Sequence, residues 1–357
     1  MKTQAAIAHA SNKPFVIEEV ELLDPKEGEV RVKISACGIC RSDLSALEGK
    51  ETVEFPVVLG HEAAGIIEAV GNGVSALKEG DTVVLSWTPE CGACAACIRG
   101  QVHLCAGINM TTGSQGPLSL GGVTLDRFMG LGAFCEHVVV PQKMAVNVQS
   151  NLLPEHTCLI GCGVTTGFGA AVNTAGIRWG ETVAVLGCGG VGLAAIQGAR
   201  IAGASRIFAV DPIAQRRNVA RQVGATETLA PEDVPKRIIQ MTAGGVDCAI
   251  ECVGNIATMQ DAFHMIRDGG RAIVVGLPAF TEKLDIPAIM LLREKKLTGS
   301  IYGSSCPHTD FNKIAALGES GTLDFSALVD KTRHFSEINE AFAEMRSGEL
   351  TRVVLTF

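Results

Sequence analysis

Residues 183–211 read VAVLGCGGVGLAAIQGARIAGASRIFAVD, and they place glycines in the spacing GxGxxG at Gly187, Gly189 and Gly192. The glycines follow an apolar run typical of a buried strand and open a helical stretch, and a second apolar run ends at Asp211. A dinucleotide-binding βαβ unit requires this order of strand, tight turn, helix, strand and acidic residue. The stretch therefore predicts a doubly wound parallel sheet that binds a dinucleotide at its first turn.

Each part of the motif has a physical role toward such a ligand. Gly187 permits the tight turn, Gly189 lets the backbone approach the pyrophosphate, and Gly192 lets helix and strand pack closely. The helix begins near Gly190 and Val191, where unpaired N–H groups face the phosphates. A glycine-rich helix start without a ligand is the other interpretation, and the surrounding strands and acidic residue argue against it.

The preference between NAD and NADP depends on the residue at the end of the second strand. The Asp211 carboxylate can accept hydrogen bonds from both ribose hydroxyls and would repel a 2′-phosphate, so NAD is favoured. Arg216 and Arg217 follow closely, and a nearby arginine can accommodate a 2′-phosphate, which keeps NADP as the alternative. We take Arg216 as a candidate cofactor contact.

The rest of the chain divides into regions that differ in their pattern of apolar and turn-forming residues. Its 357 residues exceed what one core usually serves, so two domains are expected. The first 160 or so residues read as short strands separated by turn signals, as in an all-β unit. From about residue 180, six short apolar strands alternate with helices, which indicates a six-stranded parallel sheet. The chain then ends in TRVVLTF, residues 351–357, which could rejoin the first domain.

Composition restricts the class of partner and the compartment. The net charge of -8 offers no basic surface, so nucleic acid is not an expected partner. The N-terminal residues lack the apolar stretch of a signal peptide, and no run of about 18 apolar residues predicts a membrane span. With 13 cysteines and no export signal, the chain is expected in the reducing cytoplasm, where thiols persist.

Residues 90–105, ECGACAACIRGQVHLC, hold four cysteines: Cys91, Cys94, Cys97 and Cys105. Small residues between the first three let a loop wrap an ion. Four thiolates that close a tetrahedron leave no open position, so we expect a structural zinc. A disulfide pair or an iron–sulfur cluster is the alternative.

Three separate pieces carry further candidate ligands. CGICRSD (37–43) contains Cys40, VLGHEAAG (58–65) contains His61 and Glu62, and LIGCGVTTG (159–167) contains Cys162. Each piece alone is weak evidence for a metal ligand, because a cysteine or histidine beside glycines is more often a packed loop residue. Together with a nucleotide fold and a four-cysteine loop, the set is much stronger.

On these motifs the chain resembles the zinc-dependent medium-chain alcohol dehydrogenases, from GICRSD and GHEAAG through GCGVTTG and LGCGGVG to SGELTRVVLTF. The resemblance implies a GroES-like β-rich catalytic domain at residues 1–163 and 302–357, interrupted by a Rossmann domain at 164–301. It implies two zinc ions per chain and NAD. It assigns Cys40, His61 and Cys162 to a catalytic zinc with one open position, and the four-cysteine loop to a structural zinc.

The implied reaction is the NAD-linked oxidation of primary alcohols to aldehydes, or the reverse, by hydride transfer from a zinc alkoxide to nicotinamide. Ser42 matches the hydroxyl that takes the substrate proton. Glu62 either orients the residues around the zinc ligands, which we rank first, or approaches the ion during ligand exchange. A histidine that relays the proton in well-known members is replaced here by Ser45, so we expect the proton to leave through cofactor ribose and water.

By the same resemblance, an apolar substrate channel is expected at Trp87, Phe128, Met129, Val275 and Ile301. Ordinary core packing is the other interpretation of Val275 and Met129. Arg41 and Arg352 match positions that hold the pyrophosphate, and Thr166 and Val275 are further expected cofactor contacts. For Arg352, surface solvation is the alternative.

Four alternatives accompany this interpretation. A thiol-adduct formaldehyde dehydrogenase is one, although AGINMTTG (106–113) lacks the arginine that the glutathione-using branch is expected to carry. A bacterial branch that uses another thiol is the second, and a nicotinoprotein that keeps NAD(H) bound is the third. A non-catalytic zinc protein is the fourth, and the intact ligand set argues against it. The family implies a homodimer or homotetramer that acts on a small alcohol or aldehyde.

Overall fold

The computed structural model describes residues 1–51, 53–108, 116–279, 281–348 and 350–357. The chain forms two compact units. The first contains Met1–Cys162, Cys306–Gly321 and Val329–Phe357, and the second contains Gly163–Ser305 and Thr322–Leu328. The expected domains, 1–163 with 302–357 and 164–301, stay a prediction next to this division.

The strands are β1 (Lys2–Ala8), β2 (Val16–Leu22), β3 (Glu29–Gly38), β4 (Val57–Val58), β5 (Glu62–Val70), β6 (Thr82–Leu85), β7 (Leu118–Leu120), β8 (Val123–Thr124), β9 (Asp126–Arg127), β10 (His137–Pro141), β11 (Ala145–Asn147), β12 (Thr182–Leu186), β13 (Arg206–Val210), β14 (Glu227–Leu229), β15 (Val246–Glu251), β16 (Ile266–Val274), β17 (Lys296–Gly299), β18 (Lys331–His334) and β19 (Val353–Thr356). The α-helices are α1 (Arg41–Leu47), α2 (Ala95–Ile98), α3 (Pro154–Thr157), α4 (Gly163–Gly169), α5 (Gly190–Ile201), α6 (Ala214–Gln222), α7 (Val234–Thr242), α8 (Ile256–Met265), α9 (Pro307–Glu319) and α10 (Ile338–Ser347). Short 3₁₀ turns connect several of these elements, and a π-helix, Ala170–Thr174, follows α4.

The first unit contains two sheets. Over the residues that the structure describes, one has the order β8-β7-β2-β1-β4-β9 and the other the order β11-β6-β5-β3-β19-β18, with β10 also paired to β3. Most pairs are antiparallel, as expected for short strands joined by tight turns. Strand β19 pairs antiparallel with β3, so TRVVLTF rejoins the first unit as predicted.

The second unit carries the predicted parallel sheet. Its order is β14-β13-β12-β15-β16-β17, and every pair within it is parallel. The central strand β12 is an apolar TVAVL whose last four residues are buried, which is typical of a strand covered on both faces. Phe208, Phe263 and Ile238 lie in the apolar cluster that fills this unit. The doubly wound six-stranded sheet is therefore confirmed within the described residues.

The short helices α1, α2, α3 and α4 differ from the sequence prediction. Helix α1 lies in the first 160 residues, where no helix was predicted, because seven residues are too few to show a clear apolar period. Helix α4, GVTTGFG, is rich in glycine and β-branched residues, which are weak helix formers. Both helices are stabilised by tertiary packing rather than by intrinsic propensity. Both also carry predicted site residues, Ser42 in α1 and Thr166 in α4.

No helix within the described ranges combines the length and the apolar character that a membrane crossing needs.

Candidate functional site

Three residues far apart in the sequence meet at one point in the first unit. Cys40 immediately precedes α1, His61 immediately precedes β5, and Cys162 follows a 3₁₀ turn at Cys158–Gly161. Because Gly38 at the end of β3 pairs with Glu62 at the start of β5, the two turns lie side by side. One ligand atom from each of the three residues lies within 4.8 Å of the others.

The Asp43 carboxylate, fully buried, fixes the orientation of this group. Its Oδ1 accepts hydrogen bonds from the backbone N–H of Gly60 at 3.0 Å and from Nδ1 of His61 at 3.1 Å. Its Oδ2 accepts the backbone N–H of Cys40 at 3.0 Å. An imidazole that donates from Nδ1 presents the lone pair of Nε2. That Nε2 is buried and has no hydrogen-bond partner among the described residues, which is the arrangement expected of a metal ligand.

The ionisation of the two thiols also fits a divalent cation. The hydrogen bond from Cys162 lowers the pKa of Cys40 well below its ordinary value, although burial opposes this. The same hydrogen bond, together with burial, raises the pKa of Cys162. The pair therefore shares one proton, and a cation that binds both sulfurs replaces it. Two sulfurs and one imidazole nitrogen are a ligand set that zinc prefers, with a fourth position left open.

Glu62 and Arg352 form a buried ion pair next to the ligands. The Arg352 side chain is 6% exposed and the Glu62 side chain is fully buried, and Nη1 of Arg352 donates to Oε2 of Glu62. Burial lowers the pKa of Arg352, but the Glu62 carboxylate together with the thiols of Cys40, Cys162 and Cys158 outweighs burial and raises it. Arg352 is thus buried rather than solvated at the surface. Its contact with a pyrophosphate stays a prediction.

Two other predicted residues of the first unit, Ser42 and Phe128, contact these ligands. Ser42 is half-buried, and its Oγ lies 3.9 Å from the sulfur of Cys40. The ring of Phe128 packs edge-on against His61, with centroids 5.6 Å apart. Trp87 and Met129 are buried, whereas Arg41 is exposed. Residues 109–113 of AGINMTTG lie outside the described residues, so the absence of an arginine there is known from the sequence alone.

The four-cysteine loop also brings its sulfurs together. The sulfurs of Cys91, Cys94, Cys97 and Cys105 all lie within 4.8 Å of one another. Those of Cys91 and Cys97 are 3.9 Å apart, close to the edge of about 3.8 Å that a tetrahedron with Zn–S bonds of about 2.3 Å would have. A disulfide would require about 2.05 Å. The spacing therefore favours a single closed zinc site.

Backbone N–H groups stabilise thiolates in this loop. The N–H groups of Cys91 and Gly107 both donate to Cys105 Sγ at 3.4 Å. Hydrogen bonds from the backbone of Ala106 and Cys97 lower the pKa of Cys94 to about 6. Burial raises the pKa of Cys97 to about 12. The loop thus presents part of its charge before any cation binds, and the rest forms as the cation displaces protons.

The glycine turn of the second unit has the geometry that the motif predicts. Gly187 has φ +90°, which a side chain would strain. A Cβ on Gly192 would lie 1.8 Å from the carbonyl oxygen of Gly187, so only glycine lets α5 begin this close to β12. A Cβ on Gly189 would have no described heavy atom within 4 Å, apart from those of its chain neighbours and its own helix. The described fold therefore does not itself require glycine at this position, and the contact of Gly189 with a pyrophosphate stays a prediction.

The remaining predicted cofactor residues also lie in the second unit. Asp211 is 3% exposed, and its carboxylate accepts the backbone N–H groups of Cys188 and Ile213, both at 2.8 Å. Nη1 of Arg217 donates to the backbone carbonyls of Asp211 and Pro212. The positions Gly190, Val191, Arg216, Thr166, Val275 and Ile301 are half-buried. The predicted roles of these residues stay predictions.

Sequence reasoning did not identify Asp43 as a functional residue. It is the last residue of the quoted piece CGICRSD and the third residue of α1. An acidic residue three positions after the residue that precedes a helix is a capping signal. That signal could have indicated a helix start at Cys40 and a buried carboxylate beside it.

The substitution Asp43→Asn should loosen the three-ligand site selectively. Asn can accept from His61 with its oxygen, but its NH₂ group would face the N–H of Cys40, so the turn is disturbed. We expect roughly 10- to 100-fold weaker zinc retention at this site. Zinc per chain after dialysis against graded chelator measures it: the variant should lose one ion early and keep the other. Asp24→Asn, at a side chain 84% exposed, is the control. Equal retention in both variants would contradict the assignment.

The substitution Gly189→Ala should separate ligand binding from folding. Because nothing in the described fold occupies the Cβ position, the stability loss should stay within about 1 kcal/mol, the cost of alanine at a helix N-cap. The methyl group would occupy space that the pyrophosphate needs, so NADH affinity should fall at least about tenfold. Thermal unfolding and NADH fluorescence titration give the two readouts, with Gly192→Ala as a variant expected to unfold the turn. Unchanged NADH binding in Gly189→Ala would refute this role.

The chain matches two family models: one described as the alcohol dehydrogenase GroES-like domain, over residues 26–150, and one described as zinc-binding dehydrogenase, over residues 190–320. It is 38% identical to alcohol dehydrogenase 1 of Pisum sativum, covering 99% of this chain and 97% of that one. It is 39% identical to an NDMA-dependent alcohol dehydrogenase of Amycolatopsis methanolica, covering 99% of both. It is 37% identical to an S-(hydroxymethyl)glutathione dehydrogenase of Saccharomyces cerevisiae, covering 99% and 96%.

A solved structure gives the same result. Benzyl alcohol dehydrogenase from Acinetobacter calcoaceticus superposes with a TM-score of 0.94 at 30% identity, covering 100% of this chain and 99% of that one. The GroES-like and Rossmann architectures, the gathered cysteine and histidine ligands and these matches all agree. The chain belongs to the zinc-dependent medium-chain alcohol dehydrogenases.

Proposed function

We propose that this enzyme oxidises primary alcohols to aldehydes, and reduces aldehydes in the reverse direction, with NAD as the hydride carrier. The observation that carries the proposal is the unpartnered, buried Nε2 of His61 beside the two sulfurs of Cys40 and Cys162, among the residues that the structure describes. Three protein ligands of this type belong to catalytic zinc sites, because they leave a position for substrate.

Each cofactor has a defined place in the proposal. Zinc held by Cys40, His61 and Cys162 supplies a Lewis acid that lowers the pKa of a substrate hydroxyl. NAD held at the turn Gly187–Gly192 supplies the hydride acceptor. Asp211 favours NAD over NADP because backbone N–H groups fix both of its carboxylate oxygens, and each oxygen can accept a further hydrogen bond from a ribose hydroxyl.

The chain's own residues orient the ligands and move the proton. Asp43 holds His61 in the tautomer that leaves Nε2 free. We assign the uptake of the substrate proton to Ser42, and its Oγ position 3.9 Å from the sulfur of Cys40 supports this role. Glu62 and Arg352 neutralise each other beside the ligands, so we assign Glu62 to the electrostatic support of the site. The ion pair with Arg352 favours this supporting role of Glu62 over its direct approach to the ion.

A thiol-adduct formaldehyde dehydrogenase and a nicotinoprotein are second candidates. The first is favoured by the relative named S-(hydroxymethyl)glutathione dehydrogenase, although residues 106–113 lack an arginine. The second is favoured by the relative whose name states a dependence on NDMA, which fits an external electron acceptor. Retention of NADH through gel filtration would select the nicotinoprotein.

We also propose a homodimer or homotetramer in the cytoplasm. Strand β17 ends the parallel sheet, and the preceding 3₁₀ turn exposes Ile289, Leu291 and Leu292, the last at 81%. An apolar surface beside a sheet edge favours association with a second copy. The 13 cysteines, all present as free thiols, support a reducing compartment.

Bulky Trp87, which is expected in the substrate channel, should favour unbranched primary alcohols over secondary ones. One extra methyl group in a tight apolar pocket costs roughly 10- to 200-fold in kcat/KM. We expect 1-propanol to exceed 2-propanol by that range, and Trp87→Ala to narrow the ratio. NADH absorbance over an alcohol panel, run with and without added thiol, measures this and tests the adduct alternative together. Trp179→Phe, at a ring 87% exposed in the second unit, is the matched control. A preference for 2-propanol would reject the pocket assignment.

The substitution Ser45→Ala tests the route by which the proton leaves. Ser45 stands where a relay histidine is found in other members of the family, and a serine does not titrate near neutral pH. If the proton leaves through cofactor ribose and water, the pH dependence of kcat/KM should barely change in Ser45→Ala. Ser42→Ala is the comparison variant and should alter the profile. A large change in Ser45→Ala would disprove the ribose route.

A further inference from the structure

A turn with unusual backbone conformation follows the last strand of the parallel sheet. Tyr302, Gly303 and Ser304 have φ values of 53°, 65° and 50°, all in the left-handed region. Two of the three are not glycine, and such residues adopt this conformation only when their surroundings impose it. The turn lies directly after Ile301, a predicted residue of the substrate pocket.

The turn packs tightly against the helix that follows Cys162. A Cβ on Gly303 would lie 2.5 Å from the carbonyl oxygen of Thr165 and 2.7 Å from Cα of Gly169, so backbone meets backbone. Tyr302 is 2% exposed. The turn therefore has no room to relax toward α4.

Hydrogen bonds among three hydroxyl groups, those of Thr174, Ser300 and Ser304, hold the turn. Oγ1 of Thr174 lies 2.7 Å from Oγ of Ser300 and 2.7 Å from Oγ of Ser304. The two serines flank the turn, so one threonine connects its beginning to its end. A hydroxyl donates once and can accept twice, which is enough to bond both serines at the same time.

The position of Thr174 depends on the π-helix at Ala170–Thr174. This wider helical turn continues α4, and π-helical segments occur frequently at functional sites. The neighbouring Asn173 donates from Nδ2 to the carbonyl oxygen of Gly303 at 3.2 Å. Two consecutive side chains of the π-helix therefore bind the same turn.

The turn is also connected to the adjacent strand. The N–H of Ser300 donates to the carbonyl oxygen of Val274 at 2.8 Å, at the end of β16. Val275, a predicted cofactor contact, comes next, and its own N–H donates to the carbonyl oxygen of Glu251 at 2.8 Å. Ser300 thus connects the Thr174 hydroxyl to two backbone positions. One is Val274, directly before Val275, and the other is Ser300 itself, directly before Ile301.

We propose that Thr174 is a positioning residue for the cofactor: its hydroxyl, through Ser300 and Ser304, holds the left-handed turn so that Val275 and Ile301 are presented for the nicotinamide end of NAD. This inference rests on the proposed function, because it names a residue that supports the same cofactor site. Thr174 itself acts through the turn and not by contact with the reacting atoms.

The test compares two substitutions at Thr174. Thr174→Val keeps the shape of the side chain and removes the hydroxyl, whereas Thr174→Ser keeps the hydroxyl and removes the methyl group. We expect the NADH dissociation constant, measured by fluorescence titration on the folded protein, to rise on the order of tenfold in Thr174→Val. In Thr174→Ser it should stay within about twofold of the wild type.

A third substitution separates positioning from a merely structural role. Ser304→Gly removes both the strain at φ 50° and the hydroxyl that bonds Thr174, so the turn needs less support from the threonine. If Thr174 acts by holding the turn, Thr174→Val should weaken NADH binding less in the Ser304→Gly background than in the wild type. If Thr174→Val raises the NADH dissociation constant by the same factor in both backgrounds, the inference is overturned. Should Thr174→Val fail to fold, Ser300→Ala, which removes one partner of the threonine, replaces it with the same expected direction.

The outcomes distinguish this inference from the proposed function. Wild-type protein that binds no NADH overturns the proposed function and this inference with it. Wild-type protein that binds NADH no more tightly than Thr174→Val overturns the inference alone, whatever happens to the unfolding temperature. Weaker binding in Thr174→Val with recovery in Thr174→Ser supports it.

Discussion

The hydrogen bonds of the buried Asp43 carboxylate determine how Cys40 and His61 are oriented. A buried charge is costly unless it is fully paired, and here three N–H donors from Cys40, Gly60 and His61 satisfy it. These donors belong to two different turns, one after β3 and one before β5. The carboxylate therefore converts two neighbouring loops into one rigid frame, and it selects the imidazole tautomer that a metal needs.

A second buried pair balances the charges around that frame. Glu62 lies next to His61 in the sequence and would add a negative charge beside two thiolates. Arg352 offsets that charge through a buried ion pair. The roles of these residues depend on each other, since either charge alone would be buried without its counterion.

Much of this could be predicted from the sequence, because the decisive signals are local. GxGxxG followed by Asp211, the alternation of strands and helices, and the spacing of the four cysteines in residues 90–105 each lie within a short segment. What could not be predicted depends on contacts between distant segments. Helix α1 is too short for a periodic signal, and α4 has poor helix formers, so both are stabilised by packing.

The side-chain networks were inaccessible for the same reason. Thr174 meets Ser300 and Ser304 across 126 and 130 residues of chain, and no pattern in either segment indicates the other. Asp43 is an intermediate case. Its place at the third position of a helix is a recognisable capping signal, but its bond to His61 appears only once β3 and β5 are paired.

The pairing of β19 with β3 affects how the protein is made in the cell. Arg352 and Glu62 are 290 residues apart in sequence, and the sheet that brings them together includes strands that precede and follow the second unit along the chain. During translation, the parallel sheet at residues 182–299 is complete before β19 leaves the ribosome. The second unit can therefore fold early, because domains generally fold as they emerge from the ribosome. Arg352 directly precedes β19, so its ion pair with Glu62 forms only late in synthesis.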